Sequence, residues 1–196
     1  MRTLLATLFF FAAVGAFAST PDALEGGTSP NRRHEVVLDT APETPVLLVR
    51  ELPSHHVVGR LEWPGDPTGG DTQPLRTHAK VLWQPTGEAV AINTDERFYA
   101  YTSVLARQPE SGKFVHVQFP DYKTLTGFPP PNPEHLRPRG FARSLRWTPE
   151  GHLVYVIGYA PDASYDGPDP LSHRITLSVT PTGMKVIRRE ANPEDA

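Results

Sequence analysis

Cysteine is missing from this 196-residue sequence. A chain without thiols has no disulfide framework, no thiolate metal site and no thiol-based catalysis. It also has no cysteine that accepts a lipid after an export leader, so lipoprotein anchoring is excluded. Stability must therefore come from packing and hydrogen bonding, and a chain of this length can bury a core large enough for that.

The short motifs of common enzyme sites are missing as well. The sequence contains no G-x-S-x-G nucleophile elbow, no P-loop, no G-x-G-x-x-G and no H-E-x-x-H. Its eight histidines are scattered over different segments, apart from the adjacent pair His55-His56, whose side chains are expected to point to opposite faces of a strand. The sequence therefore predicts no catalytic residue and no cofactor.

Neither sign of charge dominates. The sequence has 19 Lys and Arg residues and 22 Asp and Glu residues, which gives a formal net charge of −3. Nucleic acids and anionic membrane surfaces attract basic patches, and this composition offers none. We expect no nucleic-acid partner and no membrane partner once the leader described next is removed.

The first 18 residues have the pattern of an export signal. Met1-Arg2-Thr3 is a positively charged start, Leu4 to Phe17 is apolar, and Ala16-Phe17-Ala18 matches a small-x-small cleavage site. The apolar run is shorter than the roughly 20 residues of a membrane span. We predict a signal peptide over 1–18 and a periplasmic or secreted location; an uncleaved membrane anchor is the alternative.

Proline is abundant, with 22 residues, about twice its average usage. Such a density disfavours long helices and favours turns and extended connections. We predict a flexible leader over 19–33, a single β domain over 34–189 and a disordered tail over 190–196. A Pro-rich segment, 128–138, has the composition of a polyproline II connector, and a helical turn is predicted just before it, at Tyr122 to Leu125.

One phrase occurs twice in the predicted β domain. Trp83-Gln-Pro-Thr-Gly87 and Trp147-Thr-Pro-Glu-Gly151 each end one strand pattern, form a tight turn and begin the next strand. Each phrase lies in a segment with four strand patterns, about 79–119 and 142–189. Strand patterns at His34 to Asp39, Val46 to Arg50 and His56 to Trp63 indicate a partial N-terminal sheet.

The two W-x-P-x-G phrases resemble the W-S-P-D-G hairpin of TolB-type, WD40-like β-propeller repeats, with Thr86 and Glu150 in place of the aspartate. In that family each hairpin belongs to a four-stranded blade, and closed propellers have about 4–8 blades. We therefore expect an all-β fold of two four-stranded antiparallel blade-like meanders plus the partial N-terminal sheet. These elements are expected to pack as a sandwich or an incomplete propeller; a ring completed by oligomerisation is the alternative.

Two groups of residues are candidate binding sites. Tyr99 and Tyr101 share one face of their predicted strand, and with Tyr155 and Tyr159 of the second unit they are predicted to bind a carbohydrate or a protein. The alternative is that these rings pack one sheet on another. Asp162, Asp166 and Asp169 crowd one loop and are candidate calcium ligands, although their spacing departs from D-x-D-x-D-G; a solvated turn is the alternative.

These patterns predict an exported, non-catalytic binding or interaction module. One alternative is a periplasmic hydrolase or metal-dependent enzyme whose site is built from the 54–78 and 160–173 loops. Another is a structural subunit of an envelope assembly, which would need an exposed apolar patch or an unpaired edge at the first or last strand.

Overall fold

The computed structural model describes residues 21–64, 78–95, 100–130, 132, 136–161 and 172–191. In these ranges the chain forms 12 strands and one short helix, so the predicted all-β class is confirmed. The strands are β1 (Asp22–Thr28), β2 (His34–Asp39), β3 (Val46–Glu51), β4 (Val57–Glu62), β5 (Ala79–Trp83), β6 (Ala89–Asp95), β7 (Ala100–Arg107), β8 (Phe114–His116), β9 (Leu136–Trp147), β10 (Leu153–Pro161), β11 (Ser172–Thr180) and β12 (Gly183–Ala191).

The strands form three antiparallel meanders of four strands each. The first is β1–β4, the second β5–β8 and the third β9–β12. The two predicted blade-like units are the second and third meanders. The N-terminal sheet was predicted to be partial, but it is complete because β1 supplies a fourth strand.

β1 corrects the prediction of a flexible leader over 19–33, which is wrong for Asp22–Thr28. This strand pairs with β2 in antiparallel fashion and with β5 in parallel at Glu25 and Lys80. A Cβ atom on Gly26 would lie 2.4 Å from the carbonyl oxygen of Val81. The glycine that weakens the strand pattern in the sequence is what lets the two backbones approach.

The ends of the predicted β domain also need correction or lie outside the described ranges. Glu190 and Ala191 belong to β12, so the predicted disordered tail is wrong for these two residues. The predicted signal peptide over 1–18 lies outside the described residues.

Parallel pairs join the meanders into one hydrogen-bonded order, β12-β11-β10-β9-β7-β6-β5-β1-β2-β3-β4. β9 pairs with β7 at Ala100 and Phe141, while β8 pairs with the other end of β7. The last strand, β12, therefore ends this order, as the hypothesis of an unpaired edge requires. The first strand does not, because it lies between β2 and β5.

Two large apolar clusters fill the interior. The first cluster lies among the first two meanders and includes Leu38, Leu47, Ile92 and Leu105. The second cluster lies among β6, β7, α1 and the third meander. Alternation explains the third meander: in β11 the buried residues are His173, Ile175 and Leu177, every second position.

The predicted helical turn is confirmed as α1 (Tyr122–Thr126). Asp121 caps it, because its Oδ1 accepts a hydrogen bond of 2.8 Å from the Thr124 backbone N–H. At the other end Arg189 Nε donates to the Leu125 carbonyl oxygen at 2.8 Å. The helix is thereby fixed to β12.

Candidate functional site

A groove of about 340 Å³ runs past the ends of β1, β5 and β9, the first strands of the three meanders. Its residues come from these strands and from the turns that follow the first two of them. They include both tryptophans of the repeated phrase, Trp83 and Trp147. We call this concavity the tryptophan groove.

Both indoles are bonded to the preceding meander in the same way. Trp83 Nε1 donates to the carbonyl oxygen of Gly27 on β1 at 2.9 Å. Trp147 Nε1 donates to the carbonyl oxygen of Leu82 on β5 at 2.8 Å. Leu82 directly precedes Trp83, so the strand that carries the first tryptophan also supplies the acceptor for the second. The two hydrogen bonds hold the rings in fixed orientations.

Each tryptophan also packs against the core. Trp83 stacks on buried His34 with ring centroids 6.2 Å apart and meets Phe114 edge-on at 5.9 Å. Trp147 packs against the second apolar cluster. Both rings remain half-buried, so each has surface in the core and surface in the groove.

Amide side chains fix the two hairpins in the same repeating fashion. Asn31 Nδ2 donates to the carbonyl oxygen of Thr86 at 2.8 Å, and Gln84 Nε2 donates to the carbonyl oxygen of Gly151 at 2.9 Å. In each case a residue of one meander holds the turn of the next meander. The groove is therefore bounded by turns whose positions are set by neighbouring meanders.

The lining combines apolar surface with one cation. Pro30, Pro85 and Arg146 are exposed and line the groove together with the tryptophans. No ion pair joins Arg146 to another described residue. Tryptophan and arginine are, with tyrosine, the residue types enriched among those that dominate binding energies.

Tyr155 and Tyr159, two of the tyrosines predicted to bind a ligand, pack against other aromatic rings. Tyr155 is 5% exposed and stacks on Phe119 with centroids 4.6 Å apart, so it belongs to the core. Burial raises the pKa of the Tyr155 phenol, which stays neutral. Tyr159 contacts Tyr122 of α1 at 5.6 Å.

The remaining predicted binding residues are a single tyrosine on β7 and four residues without a described position. Tyr101 is 37% exposed. Tyr99 and the calcium candidates Asp162, Asp166 and Asp169 lie outside the described residues.

Three of the histidines have well-defined roles. His34 and His173 are buried, and burial lowers the pKa of each imidazole below its ordinary value of 6.5. His55 Nδ1 lies 2.8 Å from Glu35 Oε1, which also binds Arg50 at 2.9 Å. In the described part of the chain, no three His, Asp or Glu side chains are grouped so that they could hold a metal ion.

The comparisons with other proteins do not show a family for this chain. No protein-family model, no curated protein and no solved structure matches it. The likeness to TolB-type repeats therefore stays a prediction. In the described ranges, no helix has the length and apolar character to cross a membrane.

The sequence contains a signal for the groove. Both tryptophans occupy the same position of a repeated hairpin, and equivalent positions of stacked repeats line one surface. The sequence-based prediction names the tyrosines instead. Strand alternation indicates which residues share a face of a strand, but it does not indicate whether another element covers that face.

Proposed function

We propose that this chain is an exported, non-catalytic binding module that holds an extended peptide in the tryptophan groove. The observation that carries the proposal is the pair of half-buried tryptophans, each fixed by a hydrogen bond of 2.8 or 2.9 Å to a neighbouring meander. Rings that are already fixed lose little conformational freedom on binding, so more of their contact energy appears as affinity. Export rests on the pattern of the first 18 residues.

A peptide suits the lining better than a sugar does. The indole N–H groups donate inside the protein, so Thr28 and Arg146 bring the free polar side-chain groups to the described lining. Sugars need many directed hydrogen bonds, whereas apolar side chains need the surface that Trp83, Trp147 and Pro85 provide. The charge of Arg146 selects a peptide that carries a carboxylate beside its apolar side chains.

Selection from a displayed library of random peptides tests this function. We expect enriched peptides to combine apolar and acidic residues and to change the tryptophan fluorescence of the purified protein when they bind. Arg146→Glu should weaken their binding about tenfold or more, because it replaces attraction by repulsion.

Arg60→Glu is the matched control, since Arg60 is also exposed but lies on β4 at one end of the sheet order. It should leave peptide affinity unchanged. The proposal is wrong if no peptide is enriched, if Arg60→Glu and Arg146→Glu act alike, or if the protein binds a glycan array and no peptide.

The described structure gives less support to the two alternative functions, a loop-built enzyme and a structural subunit of an envelope assembly. A loop-built enzyme would draw on the 160–173 loop, most of which lies outside the described residues. An envelope subunit fits the position of β12 at one end of the sheet order, where Ile187 is 50% exposed. Neither observation indicates a ligand or a reaction, so the binding module is the function we favour.

A further inference from the structure

A second, smaller concavity of about 200 Å³ opens where β5, β6 and β9 meet. Its lining is polar and charged, with Lys80 from β5, Asn93 and Asp95 from β6, and Arg143 and Ser144 from β9. We call it the polar pocket. It meets the tryptophan groove at Leu82, which lines both.

The floor of the polar pocket is a closed hydrogen-bond network. Asn93 Nδ2 donates to the Ser144 carbonyl oxygen at 2.6 Å, and Asn93 Oδ1 accepts from the Ser144 backbone N–H at 2.9 Å. Thr102 Oγ1 donates to the same Asn93 Oδ1 at 2.7 Å. The Asn93 amide thus pairs with β9 as a neighbouring strand would, and both its polar atoms are satisfied.

The Ser144 hydroxyl stands outside this network. Ser144 is 3% exposed, and its Oγ atom has no hydrogen-bond partner among the described residues. A buried polar atom without a partner costs about 1–3 kcal/mol. Because this atom is buried, the Ser144 side chain must change rotamer before a polar ligand in the pocket can supply the missing hydrogen bond.

The rim of the polar pocket carries charges that nothing described neutralises. Lys80, Asp95 and Arg143 are exposed, and no ion pair or hydrogen bond joins their side chains to another described residue. Two cations and a carboxylate therefore line the same pocket as Ser144. Cations of this kind bind carboxylates, and the carboxylate of Asp95 accepts hydrogen bonds from hydroxyl or ammonium groups.

We propose that the polar pocket binds a small organic carboxylate that also carries a hydroxyl or amino group. Lys80 and Arg143 hold the carboxylate of the ligand, Asp95 accepts from its hydroxyl or amino group, and Ser144 Oγ completes its own hydrogen bonding with the ligand. Pockets for drug-sized molecules occupy about 300–1,000 Å³, so this smaller pocket selects a smaller ligand. The inference does not depend on the peptide site, because it rests on Ser144 and the three charged residues alone.

Titration with simple probes, followed by NMR of the backbone amides, tests the inference. Lactate and glycine should both give saturable shifts at Arg143 and Ser144 of the purified protein. Lactamide, which lacks the carboxylate, should give none. Propionate, which lacks the hydroxyl, should bind about tenfold more weakly than lactate.

Single substitutions separate the roles of the pocket residues in ligand binding. Arg143→Gln and Ser144→Ala should each weaken lactate binding about tenfold, and Asp95→Asn should remove the preference for lactate over propionate. Lys113→Gln, on the exposed turn between β7 and β8, is the control and should change nothing. Thermal unfolding of each variant separates loss of binding from loss of fold.

The inference is overturned if lactate and glycine give no saturable shift, or if the shifts lie away from β5, β6 and β9. Equal affinity for lactate and lactamide would overturn it as well, since the cations would then have no part. A folded Ser144→Ala protein with undiminished lactate affinity would also contradict it.

Discussion

His34 is a buried base at the boundary between the first two meanders. It is 3% exposed and contacts the rings of Trp83 and Phe114, and its Nδ1 atom has no hydrogen-bond partner among the described residues. Burial lowers the pKa of this imidazole, and the charge of Arg107 lowers it further. Glu88 and Glu51 act in the opposite direction without reversing the shift. The folded protein therefore holds His34 neutral.

A neutral buried histidine makes the fold sensitive to acid. The unfolded chain binds a proton at His34 near pH 6.5, whereas the folded chain binds it only at lower pH. The contribution of neutral His34 to the free energy of unfolding is therefore fully present above pH 6.5. It is lost as the pH drops from there towards the pKa of His34 in the folded protein. Urea unfolding at about pH 8 and about pH 5 should show a lower free energy of unfolding at the acidic pH.

Two variants test whether His34 causes this loss of stability at acidic pH. His34→Phe keeps an aromatic ring but cannot be protonated, so it should reduce the difference between the two pH values. Some dependence should remain, because burial also lowers the pKa of His173. His116→Gln, at an exposed position of β8, should leave the difference unchanged. Equal pH dependence of His34→Phe and the unsubstituted protein would contradict the assignment.

The sequence does not indicate which of the aromatic side chains are buried in the core. Tyr155 and Trp147 are both large aromatic residues of the third meander, and strand alternation says only which neighbours share a face with each. Phe119 lies in the segment between β8 and α1, outside the third meander, and stacks on Tyr155. That contact depends on how the segment after β8 folds back, which no local pattern of β10 records.

Elements were easier to predict from the sequence than side chains were. The second and third meanders contain short apolar, aromatic and β-branched runs, three of their hairpins turn at a Pro-x-Gly phrase, and the structure has strands there. β1 was missed because its sequence, Asp22–Thr28, contains two glycines and one large apolar residue, Leu24. Its stability as a strand comes from two partners, β2 and β5, that are distant from the local sequence.

The contacts between hairpins can be tested through Gly151. Its φ of +82° favours glycine, and an added Cβ would lie 2.8 Å from Gln84 Nε2. Gly151→Ala should therefore cost the roughly 1–2 kcal/mol of a left-handed residue plus the cost of displacing Gln84. In a Gln84→Ala background the second cost should vanish, so the two substitutions should be coupled in a double-mutant cycle of unfolding free energies.

Gly127 supplies the matched control for this cycle. Its φ is +86°, but an added Cβ would meet nothing closer than 3.9 Å. Gly127→Ala should show the conformational cost alone and no coupling to Gln84→Ala. Additive free energies for Gly151→Ala and Gln84→Ala would show that the contact between the hairpins contributes nothing.

At the scale of the whole molecule, β6 and β7 connect the two large apolar clusters. Val90 and Ile92 of β6 lie in the first cluster, while Ala91 lies in the second. β7 does the same with Leu105 and Val104. Because the same two strands belong to both clusters, neither cluster can lose its structure without disturbing the other.

The chain should therefore unfold in one transition. Far-UV circular dichroism and tryptophan fluorescence should give coincident urea curves. Ile92→Ala should lower the free energy of unfolding by about 2–5 kcal/mol and shift both curves together. Ile187→Ala, at a position 50% exposed, should shift them by about 0.5 kcal/mol or less. Separate transitions for the two signals would show that the clusters unfold independently.

The bonds of the two indoles share a direction along the chain. Trp83 bonds back to Gly27, and Trp147 bonds back to Leu82, so each acceptor precedes its donor in the sequence. A chain that emerges from its N-terminus, as in synthesis or export, presents each acceptor strand before the tryptophan that docks on it. Neither indole bond therefore has to wait for a segment that the chain has not yet produced.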